Sequence, residues 1–410
     1  MLVVGQSLMG MLFIILAGYL LSSERSKINW RTVLGAFGIQ LAIGALVLYF
    51  PPGMQALEAV AGVVISILGY AQAGIDFMFG DIASGDQGFV FALQVLPIIV
   101  FFASLIAVLY HLGIMERLVR LIGGFIQLVL GTSKAESMSA ATNIFIGQSE
   151  APIAIKPYLS SMSTSEIFAV MVGGMATVSG SVLGGYAAAG VDMRYLIAAS
   201  FMAAPAGLMM AKLIKPDSSD VSSDDSAVHE DILAHRAANV IDAAAAGALQ
   251  GLQLALAIGA LLLAFIGLIA LINGMIGWGG SFFGFENLTM QQILGYLFQP
   301  VAFLIGVPWE ETRQVGSLLG QKFILNEFIA YLDFVASYQS ELAPRTQAIV
   351  TFALCGFACL SSIAIVVGGI GILVPERRAE MSRLGFLAVV GATLANLMSA
   401  TIAGLMLTLS

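Results

Sequence analysis

Two short stretches of this chain hold the residues with the greatest chemical capacity, Gln148-Ser149-Glu150 and Asn326-Glu327. Gln148 offers an acceptor and two donors, Ser149 a hydroxyl and Glu150 an acceptor pair, a set that matches the donor–acceptor edge of a heterocyclic base. A carboxylate such as Glu327 accepts two hydrogen bonds from a vicinal diol, with Asn326 beside it. Each acid also has a plain structural use, Glu150 paired with Lys156 and Glu327 with Lys322, and Asn326 could simply cap a helix. Both acids lie in apolar surroundings. At membrane depth a carboxylate costs about 2.5–3.5 kcal/mol unless it faces a polar cavity, so intramembrane acids are functional by default.

The elements that must position them are set by composition. Of 410 residues, 59% are hydrophobic and 10% charged, with a mean hydropathy of +0.95. Soluble domains carry about 25% charged residues, so this chain cannot cover a water-exposed surface. Six of the 25 acids lie between Asp217 and Asp231, a stretch without Lys or Arg, and the rest of the chain is nearly neutral. No basic face for nucleic acid results. Apolar runs of bilayer length, about 20 residues, occur at 2–22, 33–50, 92–112, 166–188, 195–213, 251–275, 346–372 and 385–408. The first reads as a span and not a signal peptide, because it lacks a leading basic region and a cleavage site. Segments 54–77 and 113–131 read as amphipathic, 276–305 as a Gly- and aromatic-rich connection, and 214–236 as the extended polar loop. Cys355 and Cys359, four apart, would share one face of a continuous helix, so neither a disulfide framework nor a metal site is expected.

Basic residues mark the cytoplasmic side. Those after the first, third and fifth spans (Arg25 to Arg31, Arg117 and Arg120, Lys212 and Lys215) and those before the last (Arg377 to Arg383) fall together only under one arrangement. Both termini are then outside, and the charged segments 135–158 and 311–334 enter and leave on one side as re-entrant hairpins. Each hairpin precedes a span interrupted by glycines and hydroxyls, Gly174-Met175-Ala176-Thr177-Val178-Ser179 in the first half and Gly356-Phe357-Ala358-Cys359-Leu360-Ser361 in the second. The two copies have opposite topology. Such breaks are tolerated only where freed backbone groups line a cavity or hold a ligand, which places the substrate site between the hairpin tips. With no GxxxxGK[ST] loop for ATP, a secondary transporter is favoured over a pump. A membrane enzyme using Glu150 and Glu327 as an acid–base pair is disfavoured, because no metal-ligand cluster or Ser/His arrangement accompanies them.

Taken in order, Gly147-Gln148-Ser149-Glu150, Gly174-Met175-Ala176, Asn326 to Tyr331, Cys355-Gly356-Phe357-Ala358 and Asn396 to Gly404 resemble the concentrative nucleoside transporters. The resemblance covers most of the chain. It implies an all-α polytopic membrane protein with eight transmembrane helices, two re-entrant helical hairpins in an inverted repeat, and interfacial helices. The segments are then 1–112 as N-terminal scaffold spans, 113–134 as an interfacial helix, 135–213 as the first repeat, 214–236 as a cytoplasmic loop, 237–310 as the sixth span and its connection, and 311–410 as the second repeat. It further implies a homotrimer in the inner membrane that imports nucleosides by sodium symport with an elevator-like movement, without other cofactors. Proton coupling, or transport of a related base or sugar conjugate, is the alternative.

By the same resemblance Gln148, Ser149 and Glu150 hold the nucleobase, Glu327 and Ser362 the ribose, and Phe357 lies beside the ligand. Sodium is expected on Asn143, Thr177 and the backbones of Ile146 and Val178, oxygen ligands that suit a hard cation. One position departs from the family pattern: Cys359 stands where an asparagine commonly helps bind ribose.

Overall fold

The computed structural model describes residues 2–83, 90–148, 150–217, 237–282, 284 and 288–410. They are helical, with no strand among the described residues. The N-terminal part runs through α1 (Leu2–Leu20), α2 (Trp30–Leu48), α3 (Pro51–Phe79), the short α4 (Phe91–Gln94), α5 (Leu96–His111) and α6 (Ile114–Leu130). Next come α7 (Lys134–Asn143), α8 (Lys156–Leu159), α9 (Thr164–Ala176), α10 (Gly180–Ala188) and α11 (Met193–Ile214). The rest consists of α12 (Val240–Ser281), α13 (Met290–Leu304), α14 (Thr312–Ile324), α15 (Glu327–Asp333), α16 (Pro344–Leu354), α17 (Ser361–Leu373) and α18 (Arg378–Leu409).

Seven of the apolar runs expected to cross a membrane fall on helical stretches of sufficient length. The eighth, 346–372, does not, because Cys355–Leu360 interrupts it and leaves α16 and α17 at 11 and 13 residues. Conversely, 54–77 lies in the continuous 29-residue α3, which is long and apolar enough to cross. Pro51 and Pro52 start α3 where their missing N–H groups cost nothing. The 276–305 connection is also mostly helix, shared between the end of α12 and α13, and α13 packs chiefly on α14. α6 fits the expected amphipathic pattern, with Leu121, Phe125 and Leu128 exposed and Val119, Ile126 and Leu130 buried.

Burial divides the helices into two classes. Nearly all of Thr164–Ala188 is buried, whereas α12 is mostly exposed. α9, α11, α16 and α18 pack on one another and form the interior, with α1 and α2 laid against α18 and α11. α12 instead packs along α5, and its other faces expose Leu249, Leu256, Leu263 and Leu271. Gly247 and Gly251 make that crossing close: a Cβ on Gly251 would lie 2.6 Å from the Cβ of Ala103 and 2.9 Å from the Cα of Val100.

Lys212, read from sequence with Lys215 as a basic residue marking the cytoplasmic end of the fifth span, is buried near the end of α11. Its ammonium pairs with the buried Glu136 of α7 at 2.5 Å and with Asp217 at 2.7 Å. The pair ties α7 to α11, since an ammonium taken out of water must find a carboxylate there.

Candidate functional site

The two interrupted helices meet at their breaks. α9 ends at Ala176, and Thr177, Val178 and Ser179 are extended before α10 begins. α16 ends at Leu354, and Cys355–Leu360 separates it from α17. The Phe357 N–H donates to the carbonyl of Thr177 at 3.2 Å, joining one break directly to the other. The segment that precedes each break also bonds to it. Gly180 N–H donates to Phe145 O at 2.9 Å in the first half, and Leu360 N–H to Phe323 O at 3.1 Å in the second. Cys355 and Cys359 therefore lie on either side of an unwound segment and not on one helical face; both are buried and free.

Gly356 is what allows this approach. A Cβ there would lie 2.3 Å from Asn396 Oδ1 and 2.6 Å from the carbonyl oxygen of Ala176. Asn396 of α18 fills the junction, donating from Nδ2 to Ala176 O at 2.7 Å and to Cys355 O at 3.0 Å. Its amide thus satisfies the ends of both half-helices, groups that helix termini leave without intrahelical partners.

Several predicted site residues converge on this junction. Gln148, between α7 and α8, donates from Nε2 to Ser362 Oγ of α17 at 3.3 Å. Cys359 Sγ lies 3.2 Å from Ser362 Oγ and 3.2 Å from Ser361 Oγ. Glu327 is buried at the start of α15 and accepts a 2.8 Å hydrogen bond from the Tyr186 hydroxyl of α10. Phe357 is half-buried in the second break. Asn143 closes α7 against the end of α9, close to Gly173 and Gly174. Thr177 Oγ1 donates to Gly173 O at 3.0 Å, leaving its lone pairs available. Ile146 follows the end of α7, and Val178 is buried within the first break. Ser149 lies outside the described residues.

Two buried side-chain oxygens at this place, Asn143 Oδ1 and Gln148 Oε1, have no hydrogen-bond partner. Orphaned acceptors of this kind are rare in a folded interior and call for an occupant.

Glu150 behaves differently. Its carboxylate accepts a 2.8 Å hydrogen bond from Gln250 Nε2 on α12, so it is directed to that helix and away from Ser362. Neither acid forms the ion pair that a purely structural use would give. Among the described residues, Lys156 is not paired with Glu150, and Lys322 donates to Ala353 O and Asn396 Oδ1, each at 2.7 Å, and not to Glu327. Sequence reasoning did not single out Tyr186 or Gln250. The available signals were a tyrosine inside an apolar span, whose hydroxyl requires a partner when buried, and an amide side chain in a long apolar helix.

Comparison with known proteins gives a consistent result. The description "Na+ dependent nucleoside transporter C-terminus" matches residues 195–404, its N-terminal counterpart matches 9–82, and "Nucleoside recognition" (Gate) matches 92–193. Nucleoside permease NupC of Helicobacter pylori is 50% identical over 414 residues, covering 98% of each chain. Sodium/nucleoside cotransporter 1 of Rattus norvegicus is 39% identical over 399 residues, covering 94% of this chain and 61% of that protein. Among solved structures, CNTnw in an inward-facing substrate-bound state is 53% identical with a TM-score of 0.95, covering 100% of this chain and 99% of that one. A variant of CNTnw in an outward-facing state is also 53% identical, with a TM-score of 0.97 and full coverage of both chains.

Proposed function

The chain belongs to the sodium-dependent nucleoside transporter family, and from that premise we propose that it imports nucleosides by sodium symport at the junction of the two helix breaks. Its relatives are transporters and permeases, not enzymes. The nucleobase is held by Gln148 and Ser149, joined by Glu150 once it leaves Gln250. Glu327 and Ser362 hold the ribose, and Phe357 borders the ligand. The observation that carries this reading is the meeting of Gln148, Ser362 and Cys359 at a junction that also contains the unpartnered oxygen of Gln148.

Sodium is cargo in this scheme. Asn143 Oδ1 and Thr177 Oγ1 would hold it together with the backbones of Ile146 and Val178. The unpartnered, buried Asn143 oxygen supports the assignment, as does the position of both side chains at the C-terminal end of α9, where aligned carbonyl dipoles favour a cation. Because Asn143 and Gln148 share one hairpin, an ion on the first would steady the second, giving mutual enhancement of binding.

The matched hairpin-to-break hydrogen bonds support an inverted repeat of 135–213 and 311–410. Segments 135–158 and 311–334 are then re-entrant hairpins, and the repeats move as an elevator against a scaffold of 1–112 and 237–310. The exposed apolar face of α12 suits contact with lipid or with other subunits of a homotrimer. Basic residues put both termini outside an inner membrane, with α3 lying on that outer side, since a crossing by α3 would invert Arg117 and Arg120.

The test is calorimetric titration of uridine and adenosine into purified protein, in sodium chloride and in choline chloride at equal ionic strength. We expect tighter nucleoside binding with sodium, and tighter sodium binding with nucleoside by the same factor. Equal affinity in both salts would overturn the sodium assignment, and no binding of either nucleoside the substrate assignment.

A further inference from the structure

We propose that Lys322 is a built-in cation: its ammonium takes, at the second helix break, the place that an exchangeable ion takes at the first. The proposal rests on the sodium reading above and extends it to the other half of the molecule.

The observations come from the polar groups at the two half-helix ends. Helix C-termini gather partial negative charge from carbonyls without intrahelical donors, and a cation is stabilised there. In unwound transporter helices such ends coordinate ions. At the end of α9 the first hairpin presents Asn143, a neutral side chain whose buried oxygen has no hydrogen-bond partner. At the end of α16 the second hairpin presents Lys322, from the last turn of α14. Lys322 is 3% exposed, and its Nζ donates to Ala353 O and Asn396 Oδ1 at 2.7 Å each.

The two positions lie at matching ends, one residue out of register. Asn143 lies two residues before Phe145, whose carbonyl receives the Gly180 N–H; Lys322 lies one residue before Phe323, whose carbonyl receives the Leu360 N–H. One hairpin thus delivers an acceptor that needs a cation, and the other delivers the cation itself. Asn396 connects them, accepting from Lys322 while donating to Ala176 O at the first break and Cys355 O at the second. The tethered charge therefore organises the carbonyls that precede Cys359 and Ser362, and leaves the fold with one exchangeable cation site. Lys322 acts on the ligand through Asn396 and the break, which makes it a positioning residue.

The experiment measures the sodium dependence of uridine and adenosine binding to purified wild type, Lys322→Asn and Lys322→Arg, with monodispersity checked by gel filtration. Wild type should follow a single-site sodium curve. Lys322→Asn supplies a neutral acceptor like that of the first repeat. It should need more sodium, with a Hill coefficient rising from about 1 toward about 2, the number of exchangeable sites. Lys322→Arg keeps the charge and should keep the single-site curve. A Lys322→Asn curve that coincides with wild type would overturn the proposal. So would a Lys322→Arg protein that loses binding at every sodium concentration, and that variant decides the matter if Lys322→Asn does not fold. Nucleoside binding by wild type that ignores sodium would instead overturn the underlying sodium reading.

Discussion

Replacing Cys359 with asparagine tests the sugar side of the site most sharply. Cys359 Sγ is 3.2 Å from the hydroxyls of both Ser361 and Ser362, and Ser362 in turn accepts from Gln148. A thiol is a weak donor and a weak acceptor, whereas an amide is strong in both roles. A sugar hydroxyl facing this position therefore gains one good partner in Cys359→Asn. The net value of such a hydrogen bond is about 0.5–1.5 kcal/mol, which corresponds to about a 2- to 13-fold gain in affinity. The assay is inhibition of labelled uridine uptake by unlabelled uridine, 2′-deoxyuridine, 3′-deoxyuridine and 2′,3′-dideoxyuridine. The gain should appear for uridine and for whichever monodeoxy analogue retains the contacted hydroxyl, and it should vanish for the dideoxy compound. An equal gain for all four, or no change for any in a normally folded protein, would refute the placement of ribose beside Cys359.

Three further outcomes follow from the same geometry. Glu327→Gln preserves shape but removes the charge that strengthens hydrogen bonds to sugar hydroxyls, worth about 1.5–3 kcal/mol; uridine affinity should fall about 10- to 150-fold in equilibrium binding. Gly356→Ala forces a Cβ against Asn396 and the backbone oxygen of Ala176, so it should cost about 3 kcal/mol, the upper end for overpacking, and lower the melting temperature. Lys212→Met strands the buried carboxylate of Glu136 and should cost about 3–5 kcal/mol in stability, while the double change with Glu136→Leu recovers most of the loss, read by thermal unfolding.

The site was legible in the sequence wherever local chemistry conflicted with its surroundings. Gly174 to Ser179 and Gly356 to Ser361 are poor helix sequences inside apolar spans, and the structure breaks the helix within each, at Thr177–Ser179 and at Cys355–Leu360. Gln148 was singled out for its donor and acceptor capacity and Ser362 by the family resemblance, and the two meet. What escaped were partnerships set by three-dimensional approach. Nothing local says that Tyr186 serves Glu327 or that Gln250 reaches Glu150 across from α12. The partner of Lys212 escaped for a related reason: charge composition marks only the end of its span, and only folding reveals Glu136 opposite it. The continuity of α3 was hidden by its glycines and polar residues, which lower confidence in a long helix without stopping one. The paired cysteines show the converse, because four-residue spacing implies a shared face only if the helix survives between them.

The central claim is tested most directly by uptake of labelled uridine and adenosine into proteoliposomes carrying an inward sodium gradient, a proton gradient, or neither. The account predicts uphill accumulation of unmodified nucleoside under the sodium gradient alone, and its loss when Asn143→Leu removes the unpartnered oxygen at the end of α9. Accumulation that follows the proton gradient and ignores sodium, or that survives Asn143→Leu unchanged, would contradict it.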